Sequence, residues 1–441
     1  MNDGLGLISL AVAGTLLSSV LALIPALHLY NVVGLLIVSS AALAGGLASD
    51  QLAMLLLGMV VGYAMLSTVP AVFLAAPDES LAFIVLPAQK YLLQRRGYEA
   101  AILTGIGALS GAAVLVAVSP VAIEAARSLQ LIIAPHLGWM LAAIIAFMLM
   151  SEWPKGGDRG ASGWARFRSA WTGLGAGLLT FVLSGGLGFI IVYRSPLPVE
   201  LAYQNLLPAF VGLFAVPMVL TNLLTGTTVP EQHAGASIDL PPAALVRGAA
   251  AGVMGGLFAA FFPVVTGGVG AFLAGHATAQ RDDRSFIVSQ GASKFVYYVG
   301  GFLLFFLPGL HLARGGLASM TRTILTPDTP ELYFTAVAAI ALSGAVAFGL
   351  LIVFSRLAIQ LVKRVDYRTL STITLIVLIG LVALTTGPGG LLILLPASAI
   401  GLIPVLFGSR RMNCLGVLLI PITLNMAGVG ADVARVLGLI R

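Results

Sequence analysis

The sequence predicts an all-α polytopic membrane protein with about 10–12 transmembrane helices, re-entrant Pro-broken hairpins and two structural repeats. Three observations carry this. The chain is 59% hydrophobic and only 9% charged, with a mean hydropathy of +1.03, which excludes an ordinary soluble domain. Apolar runs repeatedly exceed the roughly 20 residues that span a bilayer. Glycine and proline (52 and 22 residues) interrupt those runs at matching places in the two halves. The short alternating segments of a β-barrel are absent.

Candidate membrane segments lie near 4–24, 29–48, 51–75, 99–119, 129–151, 172–193, 204–225, 245–262, 264–280, 285–308, 332–355, 370–386, 389–407 and 412–431. The first lacks the basic n-region and cleavage site of a signal peptide and reads as a retained helix. Pro25 splits 4–48, Pro208 and Pro217 interrupt 204–225, Pro263 splits 245–280, and TTGPGG at 385–390 splits 370–407. The run 81–95 is amphipathic and reads as interfacial or re-entrant. Basic loops at 88–98, 152–171 and 356–369 are expected on the cytoplasmic side. The N-terminus and loop 227–243, which holds Glu231, His233 and Asp239 without Lys or Arg, are expected on the other side. This use of the +6 net charge gives no reason to invoke nucleic acid. The single Cys414 excludes an internal disulfide and a multi-cysteine metal site. No polar interruption is long enough to fold as a soluble domain.

The repeats are read as 1–226 and 245–441, joined by a loop at 227–244. Gly14 stands eleven residues before Pro25, and Gly252 eleven before Pro263. LLPAFVGL at 206–213 is echoed by LLPASAIGL at 394–402. Paired, Pro-interrupted segments of this kind point to the binding site of a secondary transporter. Chance similarity between Gly/Pro-rich helices is the competing reading. Loops 152–171 and 356–369 look equivalent yet are both basic, which leaves the inversion of the repeats open.

The densest local signal is 68–101, where adjacent acids, Asp78 and Glu79, follow Pro77 in an apolar context. A charge at bilayer depth costs at least about 2.5–3.5 kcal/mol, so it needs a partner or a cavity. FLAAPDES (73–80) followed by LLQRRGYEAA (92–101) resembles the large membrane subunits of tripartite tricarboxylate transporters, the TctA-like permeases. That family carries a Leu-Leu-Asn-x-Pro-Gly-Glu segment and then a basic Arg-x-Gly-x-x-Glu-Ala loop; Gly97, Glu99 and Ala100 match the latter. ALIPALH (22–28) and AFFPVVTGG (260–268) occupy the places of its proline turns, and GLIPVLFGSRRMNCLGVLLIP (401–421) extends the likeness. Pro25, His28 and Asn31 fit a shifted form of the first turn in the orphan-like archaeal branch. Departures are Ala26 and Val264 for the turn glycines, Ala75 for the asparagine and Asp78 for the glycine before Glu79. They bear on substrate identity more than on fold.

Each candidate site residue has two readings. Thr266, Gly267 and Gly268 after Pro263 form either an anion cradle at a half-helix N-terminus or a small-residue packing face. His28, after Pro25, either donates to an anion and carries a coupling proton or is a hydrogen-bonded structural residue; Asn31 suits capping equally. Asp78, Glu79 and Ser80 are candidates for a coupling-ion site, or the acids cap a helix that starts at Ser80. Lys294, one of four lysines, either snorkels to the interface or faces a cavity and pairs an anionic substrate.

No catalytic or ATP-binding motif is present, and the five histidines have no metal spacing. The reading is therefore a secondary-active transporter of a small organic anion such as a carboxylate. It requires no cofactor beyond Na⁺ or H⁺ as coupling ion and resides among the lipids of a prokaryotic cytoplasmic membrane. The resemblance implies an elevator-type movement, a small membrane subunit and an extracytoplasmic binding protein as partners; a homodimer is left open. Rivals are a flippase for a lipid-linked phosphate and a non-transporting scaffold subunit.

Overall fold

The computed structural model of the protein describes residues 4–25, 27–42, 46–153, 162–226, 228–235, 237–262, 265–280, 282–310 and 312–440. In order, the helices are α1 (Gly4–Leu21), α2 (Leu29–Ala42), α3 (Ser49–Leu66), α4 (Thr68–Phe73), α5 (Val85–Leu93), α6 (Gly97–Ile133), α7 (Leu137–Met150), α8 (Gly163–Tyr193), α9 (Leu207–Phe210) and α10 (Val216–Thr225). The second half supplies α11 (Pro242–Phe261), α12 (Gly267–Ala277), α13 (Asp283–Phe295), α14 (Gly301–Leu303), α15 (Gly315–Thr321), α16 (Pro330–Arg364), α17 (Tyr367–Phe407), α18 (Gly416–Met426) and α19 (Gly430–Val436). The protein is an all-α polytopic membrane protein, with no strand among the described residues. Eight helical runs there are long and apolar enough to cross a membrane, or nine if the bent pair 411–426 and 430–436 is one span. Several candidate segments are short helices beside a proline break: 264–280 contributes the 11-residue α12 and 29–48 the 14-residue α2. The proline-glycine cluster at 385–390 breaks α17 at one residue, Gly387, whose φ of +62° and ψ of −158° leave the helix.

The chain divides into two compact units, 1–129 with 222–374 and 130–221 with 375–441. In the first, α1 and α3 run side by side at backbone contact. A Cβ built on Gly58 would stand 1.6 Å from the Ala11 carbonyl oxygen, and one on Gly14 2.0 Å from that of Leu55. The same device recurs between α11 and α13, where Gly248, Gly252 and Gly256 face Ser285, Ser289 and Ser293. Association of helices in lipid gains little from hydrophobicity, so close packing through small residues is what holds such pairs. Helices α6 and α16 are antiparallel: Gly105 lies beside Leu351, Gly344 beside Ala112, and the Tyr333 hydroxyl donates to the Ser119 carbonyl at 3.0 Å.

One end of this unit gathers the basic loops 88–98 and 356–369, and loop 227–243 joins them there. Glu231 pairs with Lys363 at 2.8 Å, Asp239 with Arg284 at 2.6 Å, and Asp283 with Lys90. Gln232 is fully buried, accepting from the Gly97 N–H at 3.0 Å and donating to the Leu92 carbonyl at 2.7 Å. The expectation that 227–243 lies opposite loop 356–369 is therefore corrected. The absence of Lys and Arg from this loop reflects acids placed to neutralise basic neighbours; hydrogen bonding to Lys363 holds the Glu231 carboxyl below its usual range.

In the second unit, α8 and α18 pack through Gly185, Gly188 and Gly416, and Glu152 accepts from the Arg410 N–H at 2.7 Å and from Asn413 Nδ2 at 3.0 Å. The two echoed segments meet there reciprocally: Gly212 fits against Leu394 and Ala397, and Gly401 against Gly212 and Leu213.

Candidate functional site

Three helix breaks in the first unit build the site. Proline cannot donate and crowds the preceding turn, so α1 unwinds through tight turns ahead of Pro25. The chain re-enters helix at Leu29, with the His28 carbonyl accepting from the Asn31 N–H at 3.1 Å. The His28 ring also caps α2: Nδ1 accepts from the Tyr30 N–H at 3.2 Å. With Nδ1 an acceptor, Nε2 is the nitrogen that carries the ring proton, and it faces Glu79 Oε1 at 3.3 Å and the Tyr298 hydroxyl at 3.0 Å.

The second break is the acidic turn. Helix α4 closes at Ala75 in the left-handed conformation (φ +53°), with the Ala76 N–H returning to the Pro70 carbonyl. The related family pattern has asparagine at this position, a residue that tolerates that backbone better than alanine. Asp78 then takes two roles at once. Its Oδ1 accepts from the N–H groups of Ser80 (3.1 Å) and Leu81 (2.8 Å), which pins a run of turns; no helix starts at Ser80, since α5 begins only at Val85, so the expected helix cap is corrected to a turn cap. Its Oδ2 accepts from the Tyr63 hydroxyl at 3.0 Å and pairs with Lys294 Nζ at 2.8 Å. Lys294 is fully buried, also donates to Ser67 Oγ, and lies over the Tyr63 ring. It does not snorkel. An isolated ammonium at this depth would be prohibitive; the paired carboxylate and hydroxyls make it tolerable.

Glu79 is the asymmetric member. Its Oε1 accepts from Tyr298 (2.8 Å) and lies near Ser80 Oγ (3.4 Å) as well as His28. Its Oε2 is buried without a hydrogen-bond partner. A buried acceptor left unmade is costly, so this oxygen marks a place where a cation or proton would be stabilised.

The third break precedes α12. Pro263 lies outside the described residues. Thr266 caps α12 through its Oγ1, which accepts from the Val269 N–H at 3.4 Å. Gly267 and Gly268 bring this end against the other breaks: an added Cβ would stand 2.9 Å from Lys294 Cα and 2.6 Å from the Ser80 carbonyl oxygen, respectively. The contacts that the packing reading requires are thus present. His28, Asp78, Glu79, Ser80, Thr266, Gly267, Gly268 and Lys294 fall in one neighbourhood, and Pro25 and Asn31 are buried at its first break.

The sequence reading missed Tyr63, Ser67, Tyr297 and Tyr298. A signal existed. Tyr63 and Ser67 are polar residues one turn apart on the most buried span, and Tyr297 and Tyr298 follow Lys294 at helical spacing. Over Val296–Gly300 the helix widens into a π-turn, which sets the register of these tyrosines.

The sequence profile of the Tripartite tricarboxylate transporter TctA family matches residues 8–416. The chain belongs to this family. It is thereby a multi-pass membrane transporter of the tricarboxylate type, and the family is one of transporters that act in tripartite assemblies with a small subunit and a binding protein. Among its relatives is an uncharacterised protein of the archaeon Methanocaldococcus jannaschii, 24% identical over 419 residues, covering 93% of this chain and 96% of the relative. An archaeal relative accords with the branch that the first turn resembles. No solved structure matches the chain.

Proposed function

We propose that this TctA-family protein is a secondary-active importer of a small organic carboxylate in a prokaryotic cytoplasmic membrane. In this reading the anion binds at the helix breaks after Pro25 and Pro263, and a cation, Na⁺ or H⁺, is carried at the Asp78–Glu79–Ser80 turn. One observation carries it: the broken helices converge on a buried charge cluster in which Lys294 neutralises Asp78 while Glu79 keeps an unpartnered oxygen. With the His28 proton on Nε2 alone, the cluster retains one uncompensated negative charge. Such a site repels an anion until a cation arrives, so the coupling ion binds before the substrate. Half-helix N-termini at Thr266 and Leu29 then present N–H groups to the carboxylate.

Two inverted repeats, 1–226 and 245–441, would build the carrier, and one bundle would make an elevator-type movement. The antiparallel α6 and α16, the like pairings of α1 with α3 and α11 with α13, and the facing echo segments support this. A small membrane subunit and an extracytoplasmic binding protein would deliver substrate. The test is uptake of labelled citrate and succinate into proteoliposomes under a Na⁺ or pH gradient, with binding protein and small subunit added in parallel. Gradient-dependent accumulation of a carboxylate is expected. No flux of any carboxylate in any arm overturns the reading.

A further inference from the structure

Beyond Tyr298 lies a cavity whose cation the charge cluster does not use. It measures about 30 Å³ and is lined by Tyr30, Tyr297, Tyr298, Phe262, Phe302 and Arg314. A single water needs roughly 10–15 Å³ by this kind of measure, so the space suits one carboxylate group and not a whole polyacid. Arg314 stands just before α15. It is half-buried, and its Nε is buried without a hydrogen-bond partner. Tyr30 and Tyr297 are within hydrogen-bonding reach of each other, and no carboxylate lines the cavity. The cavity therefore offers a cation and hydroxyls with no anion to receive them.

Its position is informative. Residues 307–310 and 312–314 sit at the α16 N-terminal end of the first unit, where Gly309 lies beside Arg127 and its N–H meets Asp328 at 3.3 Å. This is the end opposite Lys363 and the basic loops. Tyr298 is the shared wall, with one face toward the cavity and its hydroxyl on Glu79 and His28. Tyr298 therefore stands between an anionic group in the cavity and the Glu79 carboxylate.

We propose that Arg314 and the tyrosine-lined cavity form an extracytoplasmic-side subsite for one carboxylate of a di- or tricarboxylate, so that the protein selects against monocarboxylates. This rests on the carboxylate-importer reading. The planar guanidinium fork matches a carboxylate edge to edge, which a lysine ammonium does not.

The test is equilibrium binding of labelled citrate, succinate and acetate to the purified full chain in a neutral detergent with no anionic lipid, with inorganic phosphate as competitor. Arg314→Gln should weaken citrate and succinate by about 30-fold, the loss of one charge-assisted bidentate pair. Acetate should change by less than about 3-fold, since it has no second carboxylate to place. Arg314→Lys should fall between the two at an unchanged melting temperature, and it carries the test if the glutamine variant does not fold. Equal weakening of all three acids, or none, overturns the subsite while leaving the importer reading intact. Wild-type protein that binds phosphate but no carboxylate overturns both.

Discussion

Removal of Lys294 tests the charge cluster most directly. Lys294→Met keeps the length and apolar character of the stem but leaves Asp78 without its counter-ion. The lysine side chain is 0% exposed and the Asp78 side chain 5%, so neither end can borrow solvent. Breaking a buried ion pair by removing one partner costs about 3–5 kcal/mol. Asp78 retains three donors, from Tyr63, Ser80 and Leu81, which places the expected loss near the lower bound, about 3 kcal/mol. Replacing both partners, with Asp78→Asn added to Lys294→Met, removes the stranded charge, and the double variant should recover about 2 kcal/mol of that loss. The assay is denaturant unfolding in detergent micelles followed by far-ultraviolet circular dichroism. Tryptophan emission would report elsewhere, because Trp139, Trp153, Trp164 and Trp171 all lie in the unit that lacks the cluster. A single-variant cost below about 1 kcal/mol, or additive effects in the double variant, would refute a buried functional ion pair.

Other changes probe the same architecture. Glu79→Gln keeps the shape and the bond from Tyr298 but removes the charge; gradient-driven uptake should disappear while the melting temperature stays within a few degrees, and wild-type uptake would exclude Glu79 from coupling. Gly268→Ala drives a methyl to 2.6 Å from the Ser80 carbonyl oxygen and should destabilise by about 1–3 kcal/mol in the same unfolding assay. Gln232→Leu strands the Gly97 N–H beneath loop 227–243 and should cost about 1–3 kcal/mol, read as a lower unfolding midpoint.

How far this was legible in the sequence follows from range. Composition gave the membrane class because every bilayer-spanning helix must be apolar. The breaks at Pro25 and Gly387 were readable because proline and glycine act on their own backbone. The Asp78–Lys294 pair was not, because 216 residues separate partners that meet only when the acidic turn is packed against α13. The acids of 227–243 misled for a related reason: the positive-inside rule counts Lys and Arg, and it says nothing about acids brought in to meet them. Tyr298 was hidden by its setting, since an aromatic in an apolar run looks like core until the π-turn and Glu79 give its hydroxyl a role.

The two acids of the turn, adjacent in sequence, are made chemically different by what surrounds them. Asp78 is committed on both oxygens, to the N–H groups of its own turn and to a lysine, so a change in its charge would unfasten the turn itself. Glu79 is committed on one oxygen only; of its partners, His28 and Ser80 belong to the helix breaks and Tyr298 to the π-turn, not to regular helix. A charge change at Glu79 is therefore felt first by the segments after Pro25 and at the π-turn, which also carry Tyr30 and Tyr298. In the proposed carrier, Asp78 would fasten the turn and Glu79 would report on it. That separation of roles is what a coupled carrier needs, because its ion site must alter the substrate's surroundings without dissolving the scaffold that holds both.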